Sequence, residues 1–296
     1  MGGLGNQMFQ IAYARALALE TNDDVYIDKT AYRTYKIRSY SANNLICSKN
    51  LKSFEDLKTS ISLNIYLKIT QKAYHIYQKL FKVITRDLKI GSLSYLLLSR
   101  FGLYYNFDPY YYKLKRSNKN KYLYGYFQSV SYFKNAENLI KEELLVQKEI
   151  TKNEQLVLDK IIDCNAVAII MRLGEDYTKS SLLNICNDEY YRKAIQIVNE
   201  KINNPVFFVF SDRIDIAKEK YNFDVDVQFI EGFNDYESLR LMYNCKHFVL
   251  VNSSFAWWGA YLSSNKDKLI IAPSKWYNSA RQKPDIYFDS MLLIDV

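Results

Sequence analysis

The sequence has few residues that interrupt or cross-link a chain: 4 prolines, 9 glycines and 4 cysteines among 296 residues. This scarcity of proline and glycine argues against long disordered linkers. The cysteines show no CxxC spacing, and each lies in an apolar or mixed segment, which is typical of buried free thiols in a reducing compartment. They are Cys47, Cys164, Cys186 and Cys245.

Histidine is scarcer still, and long apolar runs are missing. His75 and His247 are too far apart in the sequence to predict a pair of metal ligands. The longest apolar runs, such as residues 92–99, are too short to span a bilayer, no secretory signal is visible, and neither a GxSxG motif nor a Walker P-loop occurs. We therefore predict a cytoplasmic protein, with peripheral attachment to the inner surface of a membrane as the alternative.

The chain is basic and aromatic. Its 40 lysines and arginines exceed its 32 acidic residues, which gives a net charge of +8. Such a balance favours an anionic partner, namely nucleic acid, a membrane surface or a phosphorylated ligand. Because the basic residues are scattered and form no basic stripe, nucleic acid is the least favoured of the three. The aromatic content of 16% fits both sugar-binding surfaces and filled cores.

The length predicts two domains, which we place at residues 1–150 and 151–296. The first begins with a glycine turn, continues with helical spacing over residues 8–19 and reaches a strand candidate at 25–28. A Rossmann-like unit starts with a strand. That strand either precedes these glycines or is lacking from the sheet.

The second half alternates between short apolar segments and amphipathic ones, after a charged segment at residues 147–154 that we interpret as a linker. This alternation predicts a parallel sheet covered by helices on both faces, which is an α/β fold. Ligands of such sheets bind beyond the carboxyl ends of the strands. The predicted strands are 166–171, 206–210, 227–230, 248–251 and 269–272, and the helices are 188–202, 214–221, 235–244 and 255–263.

The segment from Ser53 to Lys121 is predicted to be helical, basic and aromatic. A set of apolar residues falls near one helical face, and lysines lie largely elsewhere around it. We favour an amphipathic helix whose apolar face packs on its own domain, and a helix resting on an anionic membrane is the alternative. The apolar set is Ile65, Ile69, Ala73, Ile76, Tyr77, Leu80 and Ile84, and the lysines are Lys68, Lys72, Lys79 and Lys82.

Two motifs, one with glycines and one with an arginine, are candidates for binding a phosphorylated sugar. In the opening turn, Gly3 and Gly5 allow close approach of backbone N–H groups to a phosphate, and Asn6 and Gln7 could hold a sugar hydroxyl; a purely structural turn would look similar.

Arg172 ends a predicted strand, where it could bind a diphosphate through two hydrogen bonds. The carboxylate of Glu175 or Asp176 could then take a proton from an attacking hydroxyl. A surface salt bridge is the equally favoured alternative for this segment.

Two further polar segments follow predicted strands. Asn252, Ser253 and Ser254 open a helix and present hydroxyl and N–H groups to an anion, beyond ordinary capping. Ser211 and Asp212 follow another strand, where Asp212 could bind a nucleoside or cap the next helix. The DxD segment 224–226 precedes a strand instead, on the wrong side of the sheet for this site, and we interpret it as a loop.

Taken in order, these segments resemble glycosyltransferase family eleven, the α-1,2-fucosyltransferases. The sequence GGLGNQMFQ at residues 2–10 is similar to the family's opening signature, and residues 245–259 are close to its CKHxxxxNSSFSWWGAWL segment. Residues 122–133, 170–177, 210–212 and 271–276 fall where YLxGYWQSxxYF, HxRRGDY, FSD and IAPxxW are expected.

The resemblance implies a GT-B-like fold with two facing Rossmann-like domains, the first on the acceptor side with a helical insertion and the second binding the nucleotide sugar. It implies GDP-fucose as donor, a galactose-containing glycan as acceptor, inversion at the anomeric carbon and no metal. Arg172 matches the arginine expected at the diphosphate and Asn6 the asparagine near the fucose. His247 and Phe255 join the implied donor-binding residues through the 245–259 segment.

The chain departs from the family pattern at three places. Ile170 stands where the family has histidine, Leu173 where it has a second arginine, and Glu175 is an additional acidic residue. Two alternatives therefore stay open beside fucosyl transfer. One is transfer of another nucleotide-activated sugar, and the other is a catalytically inactive protein that binds nucleotides or carbohydrates.

Overall fold

The computed structural model describes residues 2–35, 37–57, 61–85, 91–113, 120–278 and 283–296. The chain forms two compact units, each discontinuous in sequence. The N-terminal unit comprises Met1–Tyr40, Cys47–Glu142 and Ser279–Tyr287, and the C-terminal unit comprises Ser41–Ile46, Glu143–Asn278 and Phe288–Val296. These units differ from the predicted division after residue 150 at three places. Residues 41–46 and 143–150 belong to the C-terminal unit, and residues 283–287 belong to the N-terminal unit.

The N-terminal unit begins with the helix predicted after the glycine turn. Its elements are α1 (Leu4–Thr21), β1 (Val25–Ile27), β2 (Leu51–Ser53), α2 (Ile61–Thr85), α3 (Gly91–Ser99), β3 (Leu103–Asn106) and β4 (Tyr122–Gly125), followed at the unit boundary by α4 (Glu137–Glu143). Parallel pairing joins β1 to β2 and β3 to β4 in two small sheets. Short 3₁₀ helices connect several of these elements.

The prediction of a wholly helical segment from Ser53 to Lys121 is wrong at β3. All four residues of β3 are buried, and Leu103 and Tyr105 form a core cluster with Tyr74 of α2. A buried, aromatic four-residue run suits a strand that has a partner, and β4 supplies that partner from farther along the chain. Pairing between distant segments decides this element, and local periodicity does not reveal it.

The packing predicted for α2 is also wrong. Leu67 and Tyr74 face the β3–β4 core, and Thr70 shares a hydrogen bond of 2.9 Å with the hydroxyl of Tyr105. The predicted apolar face, represented by Ile69 and Ile76, is instead exposed to 62% and 53%. The side chains of Lys82 and Ile84 lie outside the described residues.

The C-terminal unit contains six parallel strands. They are β5 (Asn165–Met171), β6 (Pro205–Ser211), β7 (Val227–Ile230), β8 (His247–Val249), β9 (Ile270–Pro273) and β10 (Met291–Ile294). They lie in the order β10-β9-β8-β5-β6-β7. This is the doubly wound arrangement, in which successive strands run outward in both directions from a central pair. The predicted α/β class is confirmed.

The helices of this unit are α5 (Lys152–Ile162), α6 (Glu175–Thr178), α7 (Asp188–Lys201), α8 (Ile214–Lys220), α9 (Asp235–Asn244) and α10 (Ser254–Leu262). The interpretation of residues 147–154 as a linker is wrong at its end, because α5 begins there. A capping box starts α5, in which Thr151 and Glu154 satisfy each other's backbone N–H groups. Strand β10 is a further element beyond the predicted ones, and its partner is β9.

The core of the C-terminal unit is aromatic around α10. Trp257 and Trp258 are fully buried. Gly259 faces Met242 of α9 so closely that an added Cβ would lie 2.1 Å from the methionine sulfur. The glycine thus permits close packing of α10 on α9. Among the helices that the structure describes, none is long and apolar enough to cross a membrane.

Candidate functional site

The candidate site of the C-terminal unit lies where the strand order reverses. Strands β5 and β8 are neighbours, while β6 follows β5 on one side and β9 follows β8 on the other. In such sheets the crevice beyond the carboxyl ends of the two central strands is where ligands bind. Arg172 follows β5, and Asn252 and Ser253 follow β8. The topology therefore brings the two strongest polar motifs of the sequence to one edge.

Arg172 places a positive charge at this edge. Its guanidinium contacts the carboxylate of Asp176 and lies 3.8 Å from that of Asp212, measured from Nε to Oδ2. Its Cζ lies 5.4 Å from the centre of the Tyr177 ring, within the range of a cation–π contact. The side chain is 23% exposed. An anion that enters would thus meet a positioned guanidinium whose present partners are two carboxylates.

Asp212 holds the loop that carries Arg172. Its Oδ1 accepts hydrogen bonds from the backbone N–H groups of Leu173, at 2.7 Å, and Gly174, at 3.2 Å. The alternative prediction that Asp212 caps the next helix is wrong, because α8 has Arg213 at its N-cap, and the hydroxyl of Ser211 accepts the N–H of Arg213. Ser211 and Asp212 therefore shape the edge from β6.

The two carboxylates that follow Arg172 have different surroundings. Glu175 is 75% exposed and pairs with Lys179 at 2.9 Å, and this lysine lowers the pKa of Glu175 below its ordinary value. Asp176 points to Arg172 instead. An added Cβ at Gly174 would come within 2.9 Å of carboxylate oxygens of both Asp176 and Asp212, so this position suits glycine.

Tyr177 joins the segments that follow the two central strands. Its hydroxyl donates to the side-chain oxygen of Asn252 at 2.6 Å and accepts the N–H of Ile185 at 3.2 Å. Burial raises the pKa of Tyr177 above its ordinary value, so the phenol stays protonated. The amide nitrogen of Asn252 donates to the backbone oxygens of Leu183 and Trp276. Asn252 therefore organises the loops at this edge through its whole side-chain amide.

The start of α10 is capped by its own serine. The hydroxyl of Ser253 accepts the N–H of Phe255 at 3.3 Å, and Ser254 begins the helix. Ser253 is buried and Ser254 and Phe255 are half-buried. The structure thus places Asn252, Ser253, Ser254 and Phe255 together at the carboxyl edge.

The structure separates His247 from this group. It is the first residue of β8 and pairs with Val167 near the amino end of β5. It is buried, and its Nδ1 accepts the N–H of Leu269 at 3.0 Å. The prediction that His247 binds the donor at the carboxyl edge is therefore corrected: this side chain anchors the opposite end of the strand.

The glycine turn belongs to the N-terminal unit. Gly2 has a φ of 118°, where a side chain would collide with Asn6, and Gly5 lies inside α1. The amide nitrogen of Gln7 donates to the backbone oxygens of Gly2 and Ser39, at 3.0 and 2.9 Å, so Gln7 braces this turn. Asn6 accepts a hydrogen bond of 2.9 Å from Gln128. Gly3 is the N-cap of α1, and a Cβ added to it would lie 3.8 Å from the Arg38 side chain.

The acidic and thiol side chains form no metal centre in the part of the chain that the structure describes. Within those ranges, no cluster of three or more His, Cys, Asp or Glu side chains could hold a metal ion. The DxD segment lies between α8 and β7, before a strand, as the sequence indicates.

Tyr177 is a residue of this edge that is absent from the predicted site set. Its hydroxyl reaches the segment after β8, which the sequence alone does not reveal. Its place directly after the two carboxylates, at the end of the segment that matches HxRRGDY, is the signal that could have found it.

Comparison with known proteins agrees with the motifs. The family model Glycosyl transferase family 11 matches residues 1–291. An alpha-1,2-colitosyltransferase of Escherichia coli is 30% identical over 285 residues, covering 93% of this chain and 90% of that protein. The O-antigen biosynthesis glycosyltransferase WbnK of Escherichia coli is 24% identical over 312 residues, covering 98% and 97%. The solved structure of E. coli heptosyltransferase WaaC with ADP aligns at a TM-score of 0.40 and 12% identity, covering 100% of this chain and 91% of that one.

The family match includes every motif described above, from the glycine turn before α1 to the segment after β9. The relative with 30% identity covers almost the same extent. The chain belongs to glycosyl transferase family 11 and is a glycosyltransferase.

Proposed function

We propose that this enzyme transfers fucose from GDP-fucose to a hydroxyl of a glycan, namely O2 of a galactose, with inversion and without a metal ion. Family membership and the retained motifs at both the glycine turn and the start of α10 support this proposal. The observation that carries it is the position of Arg172, held beside the switch point of a doubly wound sheet between Asp176 and Asp212.

The diphosphate of the donor would bind at Arg172 and at the first turn of α10. A diphosphate offers a planar guanidinium two acceptor oxygens, and the N-terminus of a nine-residue helix adds backbone donors and partial positive charge. Asp212 is tied to the backbone of Leu173 and Gly174, whereas Asp176 is half exposed. The incoming diphosphate would therefore take the place of Asp176 on the guanidinium and leave Asp212 in position.

The proposed reaction is a single displacement. The acceptor hydroxyl oxygen attacks C1 of the sugar from the face opposite to GDP, the bond between C1 and the β-phosphate oxygen breaks, and its electron pair leaves with GDP. Arg172 and the α10 N-terminus stabilise the negative charge that develops on the leaving group. The hydroxyl proton passes to a carboxylate as the new bond forms.

Asp176 is the better candidate for that base. Its carboxylate is released from Arg172 by the same event that binds the donor, so it becomes available when it is needed. Glu175 faces Lys179, which lowers its pKa and makes it a weaker proton acceptor. Glu175 remains the alternative, and exchange of each residue for its amide distinguishes the two by the loss of kcat.

A second candidate is transfer of colitose from its GDP derivative. It is favoured by the identity of 30% to an alpha-1,2-colitosyltransferase. Colitose is fucose without its 3-hydroxyl group, so the two donors differ by one polar group. A site that hydrogen-bonds a hydroxyl discriminates strongly against the analogue without it, whereas a site lined by apolar groups does not. The ratio of kcat/KM for the two donors therefore decides between them.

The first test is thermal stabilisation by GDP, UDP, ADP and CMP, each with and without EDTA. We expect GDP alone to raise the melting temperature, unaffected by EDTA, by the equivalent of about 2.7 kcal/mol at a hundredfold excess over its Kd. Stabilisation by UDP, or its loss with EDTA, would contradict the proposed donor or the absence of a metal. Turnover of GDP-fucose and GDP-colitose with a galactoside then follows. Binding of GDP without turnover of any sugar donor would identify an inactive binding protein.

A further inference from the structure

Helix α2 presents an apolar stripe to solvent. The isoleucines at 65, 69 and 76 and Leu80 are exposed to 53%, 62%, 53% and 58%. At 3.6 residues per turn, these four side chains fall within about 60° of arc on the helix. Four large apolar side chains in one line, all more than half exposed, form a contiguous patch rather than isolated surface residues, and such patches mark interaction surfaces.

The stripe has a basic border. Lys68, Lys72 and Lys79 are exposed and occupy about 40° of arc directly beside it. The helix, Ile61–Thr85, contains no aspartate or glutamate. Its exposed side therefore combines apolar side chains with positive charge alone, and an anionic partner would complement it.

The remaining face of α2 is fixed to the protein. Leu67 and Tyr74 pack on the β3–β4 core, Thr70 bonds Tyr105, and Gln78 donates to the carboxylate of Asp108 at 3.2 Å. This packed face lies about 150° around the helix from the apolar stripe. The helix is thus anchored by one side, and its orientation holds the stripe outward without any rearrangement.

We infer that this surface of α2 docks on an anionic lipid bilayer. An interfacial helix lies in the plane of the membrane with apolar side chains among the acyl chains and lysines at the anionic head groups. A second copy of the chain fits less well. A heptad seam through Ile65, Ile69 and Ile76 also includes Lys72 and Lys79, which would bring like charges together in a paired helix. The inference concerns α2 alone and does not depend on the proposed donor or acceptor.

The test is co-sedimentation of the full chain with vesicles, without any donor. We expect binding to vesicles that contain phosphatidylglycerol, weaker binding to pure phosphatidylcholine, and release by high salt. The double variant Ile69→Gln, Ile76→Gln should bind at least about tenfold more weakly, because two side chains no longer enter the apolar layer. The matched control is Leu156→Gln, Ile162→Gln, since these α5 residues are exposed to 65% and 52%, and its binding should be unchanged.

The lysines are tested separately. Changing Lys68, Lys72 and Lys79 to glutamine should weaken binding to phosphatidylglycerol vesicles by about fivefold per lysine, while the same change at the exposed Lys152, Lys160 and Lys201 should have less effect. Absence of vesicle binding, or equal loss in the control variants, would overturn the inference. A different result would also overturn it: the parent chain does not bind vesicles, forms a dimer in sedimentation velocity, and becomes a monomer in the Ile69→Gln, Ile76→Gln variant. Circular dichroism spectra identical to the parent chain confirm that the variants fold.

Discussion

The hydroxyl of Tyr177 donates a hydrogen bond of 2.6 Å to the side-chain oxygen of Asn252 and so joins the segment after β5 to the segment after β8. These two segments carry Arg172 and the start of α10, the groups that we propose to hold the donor diphosphate. The same hydroxyl accepts backbone N–H groups of Ile185 and Cys186, at 3.2 and 3.3 Å. One buried phenol thus sets the spacing of the site across the switch point of the sheet.

Replacing Tyr177 by phenylalanine is expected to destabilise the protein. It leaves the buried oxygen of Asn252 and two backbone N–H groups without their partner, at a cost of about 1–3 kcal/mol in the free energy of unfolding. Urea denaturation measures this change, with Tyr236→Phe as a control in the first turn of α9, where the half-buried Tyr236 accepts a hydrogen bond of 3.5 Å from Asn234. Equal stability of the two variants would show that the Tyr177 hydroxyl does not hold the site together.

Replacing Arg172 by alanine should lower kcat/KM about a hundredfold or more, as loss of one positioned charge from a transition state costs roughly 2–3 kcal/mol. Steady-state kinetics with the best donor measure this effect. Arg213→Ala is the matched control, because Arg213 follows β6 at the same edge but pairs with Asp215 at 2.6 Å on the surface. Unchanged turnover in the Arg172 variant would refute its proposed role.

Exchanging Arg240 for methionine should reduce stability by roughly 3–5 kcal/mol near neutral pH, because it leaves the buried carboxylate of Glu154 unpaired. In the native protein the two side chains pair at 3.1 Å and are 5% and 0% exposed. Glu154→Gln is the companion variant, and combined with the Arg240 change it should be less damaging than Arg240→Met alone. Chemical denaturation of the set gives the coupling between the two residues.

The same pair predicts a pH dependence. Burial raises the pKa of Glu154 above its ordinary value of 4.5, and Arg240 opposes that rise. Without Arg240 the folded-state pKa of Glu154 rises further. At low pH the Glu154 carboxyl group is protonated, so no unpaired charge is buried. The loss of stability then grows as the pH rises above the unfolded-state pKa of Glu154. The deficit of Arg240→Met should therefore be smaller near pH 4.5 than near pH 8. A loss of stability that stays constant across this pH range would show that the ionisation of Glu154 is not its cause.

Replacing His247 by alanine should lower stability and leave the KM for the donor unchanged, since this residue lies near the amino end of the sheet and bonds Leu269. Burial lowers the pKa of His247 below its ordinary value of 6.5, and the positive charge of Lys246 lowers it further. Its stabilising contribution is therefore present above that value and is lost as the pH falls through the folded-state pKa. The stability difference between the parent and the variant should shrink from about pH 8 to about pH 5. An increased KM for the donor in this variant would instead show that His247 contributes to donor binding.

The sequence by itself determined the α/β class and most elements of the C-terminal unit. The strand at Val227–Ile230 and the helix at Asp235–Asn244 have the predicted bounds, because their hydrophobic periods are local and their ends carry local signals. The family motifs likewise lie in consecutive residues, and for that reason the amino-acid sequence alone indicates a glycosyltransferase. The roles of the individual site residues stay predictions that the variants above would test.

Only the tertiary structure decided the features that depend on partners distant in sequence. The strand at Leu103–Asn106 exists because Tyr122–Gly125 pairs with it, and β10 because β9 does. The strand order placed His247 at the end of the sheet opposite to Asn252 and gave Tyr177 its role between them. Helix α2 shows the same limit, because periodicity located its apolar face but not the side that is buried. Long-range packing determines which side of α2 is buried. Here the side that carries Tyr74 packs on the aromatic core of β3 and β4, and the isoleucines are exposed to solvent.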